Sequence, residues 1–120
     1  MMRSEYERRG GWSWITQVIS GLLLIVLVGL HMIAQHFIVE GGLRTYQDVL
    51  AYVSDPVIFT LEILFLVVVT YHALLGVRSV LFDLGLSEAQ ERRVTQILVV
   101  IGLLTIGYGV WLSLYLIGQA

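Results

Sequence analysis

The sequence is poor in the residues that build a soluble surface or a thiol site. It has no cysteine, which excludes disulfides, thiolate metal sites and a cysteine nucleophile. It also has no lysine, so all seven of its cationic side chains are arginine. Charged residues make up 13% and hydrophobic residues 58%, which is too little charge for the surface of a soluble domain of this size. A net charge of −2, without a basic face, gives no basis for nucleic-acid binding.

Long apolar runs are what the sequence has instead. Three of them, at about residues 14–37, 56–82 and 94–117, are long enough to cross a bilayer, which takes about 20 helical residues. They predict an all-α fold of three transmembrane helices, with residues 1–120 forming a single transmembrane domain. The charged and aromatic N-terminus lacks the small-residue cleavage pattern of a secretory signal, so we expect none.

The segments between the runs carry helix signals of their own. The middle of residues 39–55 is typical of a short surface helix. Ser54 and Asp55, directly before Pro56, predict an N-cap followed by a first-turn proline. "SEAQ", at residues 87–90, is typical of a capped helix start before the third run. Gly102, Gly107 and Gly109 predict close helix packing of the third run.

The distribution of arginine predicts how the helices are oriented. Arginines stand on one side of the predicted membrane at the N-terminus (Arg3, Arg8, Arg9) and near the second connector (Arg78, Arg92, Arg93). On the other side, the first connector holds only Arg44 and the C-terminus none. By the positive-inside rule, the N-terminus is cytoplasmic and the C-terminus lies outside the cytoplasmic membrane.

Ionisable residues inside the runs are the candidate functional residues. Glu62, His72, Gly76 and Asp83 fall within an arc of roughly 100° on the second helix, so that face must meet protein, water or a cofactor. His31 shares an arc of the first helix with Ser20 in the same way.

The two intramembrane histidines differ in depth. His31 and His72 lie ~15 Å apart along the membrane normal, so one metal ion cannot bind both. If both are ligands, two cofactors are stacked across the membrane, and each takes its second ligand from another subunit. Imidazole is the usual haem ligand in helical bundles. The alternative is that each histidine hydrogen-bonds a neighbouring helix, and the residues alone leave both interpretations open.

The other polar positions also admit two roles each. Gly76 leaves room for a flat macrocycle or for a packed helix. Arg78 suits haem propionates or a membrane anchor. Glu62 is a candidate for a proton path, for a hydrogen bond to His31, or for a helix cap. Asp83 begins a loop or lies near a quinone or proton path.

One stretch carries a family resemblance. "YHALLGVRSVLFDLG" resembles the signature of the membrane-anchor subunits of succinate dehydrogenase and fumarate reductase. The pattern H-x-x-x-G-[IV]-R-x-x-x-x-D is matched at its defined positions by His72, Gly76, Val77, Arg78 and Asp83. The resemblance extends over about residues 11 to 90, where it includes the pair Ser20–Gly21, His31 and Glu62. It is a resemblance to the cytochrome b-type anchor in particular.

The resemblance implies a fold, cofactors and partners. The chain would be half of a two-subunit haem-binding helix bundle, a non-catalytic subunit of a succinate:quinone oxidoreductase in the respiratory chain and tricarboxylic acid cycle. His72 would ligate a haem b near the cytoplasmic side and His31 a second, outer haem b, both shared with a second membrane-anchor subunit. Ser20 and Asp83 would be candidates for the quinone site. An iron–sulfur subunit and a flavoprotein subunit would dock on the cytoplasmic side, and lipid would surround the bundle.

Two departures from the family pattern concern the quinone site. Gln17 and Val18 stand where many cytochrome b-type anchors have His-Arg, and Leu84 stands where a tyrosine often follows the motif aspartate. The usual quinone contacts are therefore only partly present. Two other classes stay open at this point: a haem b anchor of another respiratory dehydrogenase or hydrogenase, and a haem-free membrane scaffold or transporter.

Overall fold

The chain folds into four α-helices joined by short connectors. A computed structural model describes residues 3–38, 40–42 and 45–120, with the backbone alone at residues 3–10 and 38. The helices are α1 (Arg3–Ile33), α2 (Tyr46–Ser54), α3 (Pro56–Phe82) and α4 (Glu88–Gly118), and α1 continues into a π-helical turn at Ala34–Ile38. The all-α prediction is confirmed. Arg44 and the side chains of Arg3, Arg8 and Arg9 lie outside the described residues, so the structure adds nothing about them.

Three helices are long and apolar enough to cross a membrane. They are Gly11–Phe37, Pro56–Phe82 and Glu88–Gly118, which confirms the three predicted runs. The second matches its predicted bounds. The third helix begins six residues before its predicted apolar run, because its polar first turn starts at the cap rather than at the first apolar residue.

The helix starts follow from local hydrogen bonds. The Asp55 carboxylate accepts from the N–H groups of Val57 (2.8 Å) and Ile58 (3.1 Å), with Pro56 in the first turn, as predicted. Ser87 forms a capping box with Gln90, which confirms the predicted start of α4. A second capping box, Thr45 with Asp48, begins α2.

The helices pack in the order α1, α3, α4. α3 contacts both of the other long helices, and α2 lies against α3 and α4. Added Cβ atoms at Gly102 and Gly109 of α4 would lie 2.7 Å from Leu74 Cδ1 and 2.5 Å from Leu66 Cδ2, so both glycines make the predicted close contacts. Gly107 does not: a Cβ there meets no atom within 4 Å.

Few side chains are buried inside this single chain. Leu27, Ala34, Leu50 and Tyr52 are the buried apolar residues of the described part, while most apolar side chains of α1 and α4 are exposed. Exposed apolar faces of this extent are typical of helices that contact lipid or other transmembrane subunits.

Candidate functional site

His72 lies on the face of α3 that packs against α1. Its Nδ1 is 2.9 Å from the Ser20 hydroxyl oxygen, and that hydroxyl donates to the Gln17 carbonyl oxygen at 3.0 Å. Because the single hydroxyl proton is used there, the Ser20 oxygen is left to accept from Nδ1–H of His72. In this arrangement Nδ1 carries the proton and Nε2 carries the free lone pair. Among the described residues, Nε2 has no hydrogen-bond partner.

Two glycines allow α1 and α3 to approach each other at this level. A Cβ at Gly21 would lie 3.3 Å from Cε1 of His72, so the missing side chain makes room for the imidazole. A Cβ at Gly76 would lie 3.5 Å from Nε2 of Gln17, which is a contact between helices of this chain. The Oε1 atom of Gln17 is buried without a partner in the described part of the chain. These residues, His72, Ser20, Gly21, Gln17 and Gly76, form the His72 cluster.

A second polar cluster surrounds His31. Its Nδ1 is 2.8 Å from Oε2 and 2.9 Å from Oε1 of Glu62, and its ring lies 4.8 Å from that of Phe65. The Tyr52 hydroxyl donates to Oε1 of Glu62 at 2.5 Å. His31, Glu62, Tyr52 and Phe65 form the His31 cluster, which joins α1, α2 and α3. The hydrogen bond that Glu62 accepts from His31 is one of the three alternatives that the sequence left open.

Sequence reasoning missed Tyr52. It lies in α2, outside the membrane-spanning runs, and burial raises the pKa of its phenol above the ordinary value, with the hydrogen bond that it donates to Glu62 as the second cause. The hydroxyl therefore keeps its proton and serves as a donor. A helical wheel gives no signal for it, because Leu50 and Tyr52, the buried residues of α2, are two positions apart and so about 200° apart around the helix axis.

The two clusters lie at different levels of the bundle. His31 bonds to Glu62, and Glu62 precedes His72 by ten residues of the unbroken helix α3. Ten residues of α-helix span ~15 Å, in agreement with the depth difference expected from the sequence. Each cluster therefore offers one imidazole Nε2, and the two nitrogens cannot meet on one ion.

The remaining candidate residues are not brought together with the histidines. Arg78 faces α4, where its Nε donates to Thr95 Oγ1 at 3.1 Å and its guanidinium lies 4.3 Å from the centre of the Phe82 ring. Asp83 is exposed at the end of α3. It lies ~16 Å along the helix axis from His72, and so from Ser20. The predicted roles of Arg78 toward propionates and of Asp83 toward quinone stay predictions.

Each cluster has the donors expected of a histidine that binds a haem iron, and not those of a site that holds a metal ion by itself. No group of three or more His, Cys, Asp or Glu side chains that could hold a metal ion occurs in the described part of the chain. A haem would need only a single imidazole from each cluster, because the porphyrin brings its own nitrogen donors. Metal-ligating histidines almost always donate their other ring N–H to a carboxylate, carbonyl or similar oxygen, as Nδ1 of both histidines does here. The residues present therefore fit a haem, although each histidine is also a satisfied interhelical contact.

Comparison with known proteins gives a family. The sequence model described as "Succinate dehydrogenase/Fumarate reductase transmembrane subunit" matches residues 3–111. The chain is 33% identical over 100 residues to a succinate dehydrogenase hydrophobic membrane anchor subunit of Archaeoglobus fulgidus, covering 83% of this chain and 85% of that one. It is 26% identical over 114 residues to the subunit of the same description in Thermoplasma acidophilum, covering 95% and 93%.

A third relative has a different description. The succinate dehydrogenase 2 membrane subunit SdhC of Mycobacterium tuberculosis is 31% identical over 74 residues, which cover 62% of this chain and 54% of that one. No solved structure gives a significant match. Since the family model covers nearly the whole chain and two anchor subunits align along most of their length, the chain belongs to the family of succinate dehydrogenase and fumarate reductase transmembrane anchor subunits.

Proposed function

We propose that this anchor subunit serves a succinate:quinone oxidoreductase: His72 and His31 would each hold one of two haem b groups, and the chain would form part of a quinone site. The observation that carries the proposal is the matched state of His31 and His72. Each has Nδ1 bound to an oxygen of the neighbouring helix and Nε2 without a partner among the described residues. Haem b would supply one-electron redox chemistry within the bilayer.

The chain's own residues orient the two imidazoles. Ser20 accepts from one Nδ1–H and the Glu62 carboxylate from the other, and these bonds fix the tautomer and the ring direction. Because the chain offers one imidazole at each level, a second anchor subunit would supply the other ligand of each haem.

The quinone part of the proposal places the ring beside Ser20. A cavity of about 250 Å³ opens there between α1 and α3, and apart from Ser20 its lining is nearly all apolar: Thr16, Ile19, Leu23, Val67, Val68 and Tyr71. An apolar cleft with one or two polar groups is typical of a site for a small apolar ligand. Asp83 lies ~16 Å from this level, so one quinone ring cannot contact both Ser20 and Asp83.

The proposed assembly follows the distribution of arginine. The N-terminus and the α3–α4 connector would face the cytoplasm, where an iron–sulfur subunit and a flavoprotein subunit would dock. The flavoprotein would oxidise succinate, and its two electrons would pass through the iron–sulfur subunit to reduce the membrane quinone. His72 then lies on the cytoplasmic side of the bundle and His31 on the outer side.

The test is the haem content of the purified intact complex. We expect two haems per anchor chain in the wild type, loss of one in His72→Ala and loss of the other in His31→Ala, measured as pyridine haemochrome per protein. His36→Ala is the matched control, because the exposed His36 lies in the last turn of the first span and belongs to neither cluster. A wild-type complex without haem, or histidine variants with unchanged haem content, would contradict the ligand assignment.

A further inference from the structure

α2 brings a hydroxyl to the His31 cluster from outside the membrane-spanning helices. Leu50 and Tyr52 of this helix are buried, at 3% and 7% exposed, whereas Tyr46 on the same helix is 55% exposed. The Tyr52 ring is thus fixed against the bundle, and its hydroxyl reaches Glu62 of α3.

The Glu62 carboxylate is held by two donors at once. Oε1 lies 2.9 Å from Nδ1 of His31 and 2.5 Å from the Tyr52 hydroxyl, and Oε2 lies 2.8 Å from the same Nδ1. A glutamate with one donor can rotate about its last torsion, whereas two donors from different helices hold it in one orientation. Burial keeps the pKa of the phenol raised, so the second donor stays protonated.

We propose that Tyr52 is a positioning residue for His31, acting through Glu62. Its hydroxyl fixes the carboxylate against the imidazole and takes up part of the carboxylate charge, which weakens the hydrogen bond that the carboxylate accepts from Nδ1–H of His31. This inference rests on the proposed ligand role of His31. Hydrogen bonds of this kind tune both ligand affinity and haem reduction potential.

The test is a redox titration of the intact complex carrying Tyr52→Phe, with Tyr46→Phe as the matched control. The first variant removes one oxygen from a buried ring and the second removes it from an exposed ring of the same helix. We expect the haem at His31, identified by its loss in His31→Ala, to titrate at a lower potential in Tyr52→Phe. The haem at His72 should keep its potential in both variants.

A double-mutant cycle tests whether the effect passes through Glu62. In a Glu62→Gln background the additional change Tyr52→Phe should shift the potential much less than it does in the wild type, since coupled residues are non-additive. The role of Tyr52 would be overturned if the shifts in potential of the two single variants add in the double variant. It would also be overturned if Tyr52→Phe alone leaves the potential of the His31 haem unchanged.

Two further outcomes are distinguishable. A wild-type complex with one haem, unaffected by His31→Ala, overturns the ligand role of His31 and this inference with it, whereas two haems with no shift overturn the role of Tyr52 alone. If Tyr52→Phe does not assemble, Leu50→Ala loosens α2 while keeping the hydroxyl. A lower potential confined to the His31 haem in that variant supports the proposal, and an unchanged potential overturns it.

Discussion

Ser20 occupies a position where one hydroxyl serves two neighbours. It is 7% exposed, donates to the Gln17 carbonyl of its own helix and accepts from Nδ1–H of His72. Partners of this kind behind a ligating histidine affect how tightly the metal centre is held, because they fix the ring and its tautomer.

Replacing Ser20 by alanine should therefore weaken haem binding without removing the ligand. We expect the haem at His72 to be held about 10–100-fold more weakly in Ser20→Ala. The affinity is measured as the amount of haem that the purified complex retains after dilution, or as the rate at which it loses haem to an apo-haemoprotein. Ser79→Ala is the control, because the Ser79 hydroxyl bonds only the Leu75 carbonyl of its own helix among the described residues. Equal retention in both variants would show that Ser20 does not orient the ligand.

At the residue scale, helical periodicity predicted faces but not partners. It placed His72 and Gly76 on one face of α3 and Ser20 on a face of α1. It did not show that the glycine touching the imidazole is Gly21 of the opposite helix, while Gly76 contacts Gln17. Such pairings depend on the rotation and vertical offset of one helix against another, and no single helical wheel contains that information.

At the scale of elements, the contact of α3 with α4 depends on two glycines of α4. A third glycine of the same helix, Gly107, takes no part in this contact. Gly102 and Gly109 face leucine side chains of α3, whereas a Cβ at Gly107 would meet no atom of another described helix within 4 Å. Close approach through small residues is a main source of helix association in membranes, where no hydrophobic force separates the helices from lipid.

A methyl group at Gly109 should push the two helices apart. The added Cβ would lie 2.5 Å from Leu66 Cδ2, so the leucine or the helix must shift. We expect Gly109→Ala to cost about 1–3 kcal/mol of stability. Thermal unfolding of the detergent-solubilised complex measures this, and Gly107→Ala is the matched control on the same helix. If both substitutions lower the melting temperature equally, Gly109 is not a site of close contact between α3 and α4.

Local signals explain which elements were predictable. The starts of α3 and α4 are specified by residues within one turn, Asp55 with Pro56 and Ser87 with Gln90. The docking of α2 through Leu50 and Tyr52 and the π-helical turn at Ala34–Ile38 were not predicted. Docking depends on contacts between segments distant in sequence, and a π-helical turn has no comparable local sequence signal.

For the whole molecule, amino-acid composition and three apolar runs were enough to predict a three-span helical protein. A single chain holds only part of each proposed site. It presents one imidazole at each of two levels and large exposed apolar faces along α1 and α4. Both features are expected when half of a helix bundle is seen without its partner subunit.

The orientation of the bundle is open to a direct test, because the absence of cysteine allows single thiols to be placed at will. Ala89→Cys lies at the start of α4, after the α3–α4 connector, and Gln119→Cys lies just after α4. Intact cells are treated with a membrane-impermeant maleimide, and the thiols still free are counted after solubilisation in SDS. If the arginine-rich side is cytoplasmic, the thiol at position 119 is blocked and the thiol at position 89 stays free. The reverse labelling pattern would show that the orientation is the opposite one. The His31 level, rather than the His72 level, would then lie on the side that faces the soluble subunits.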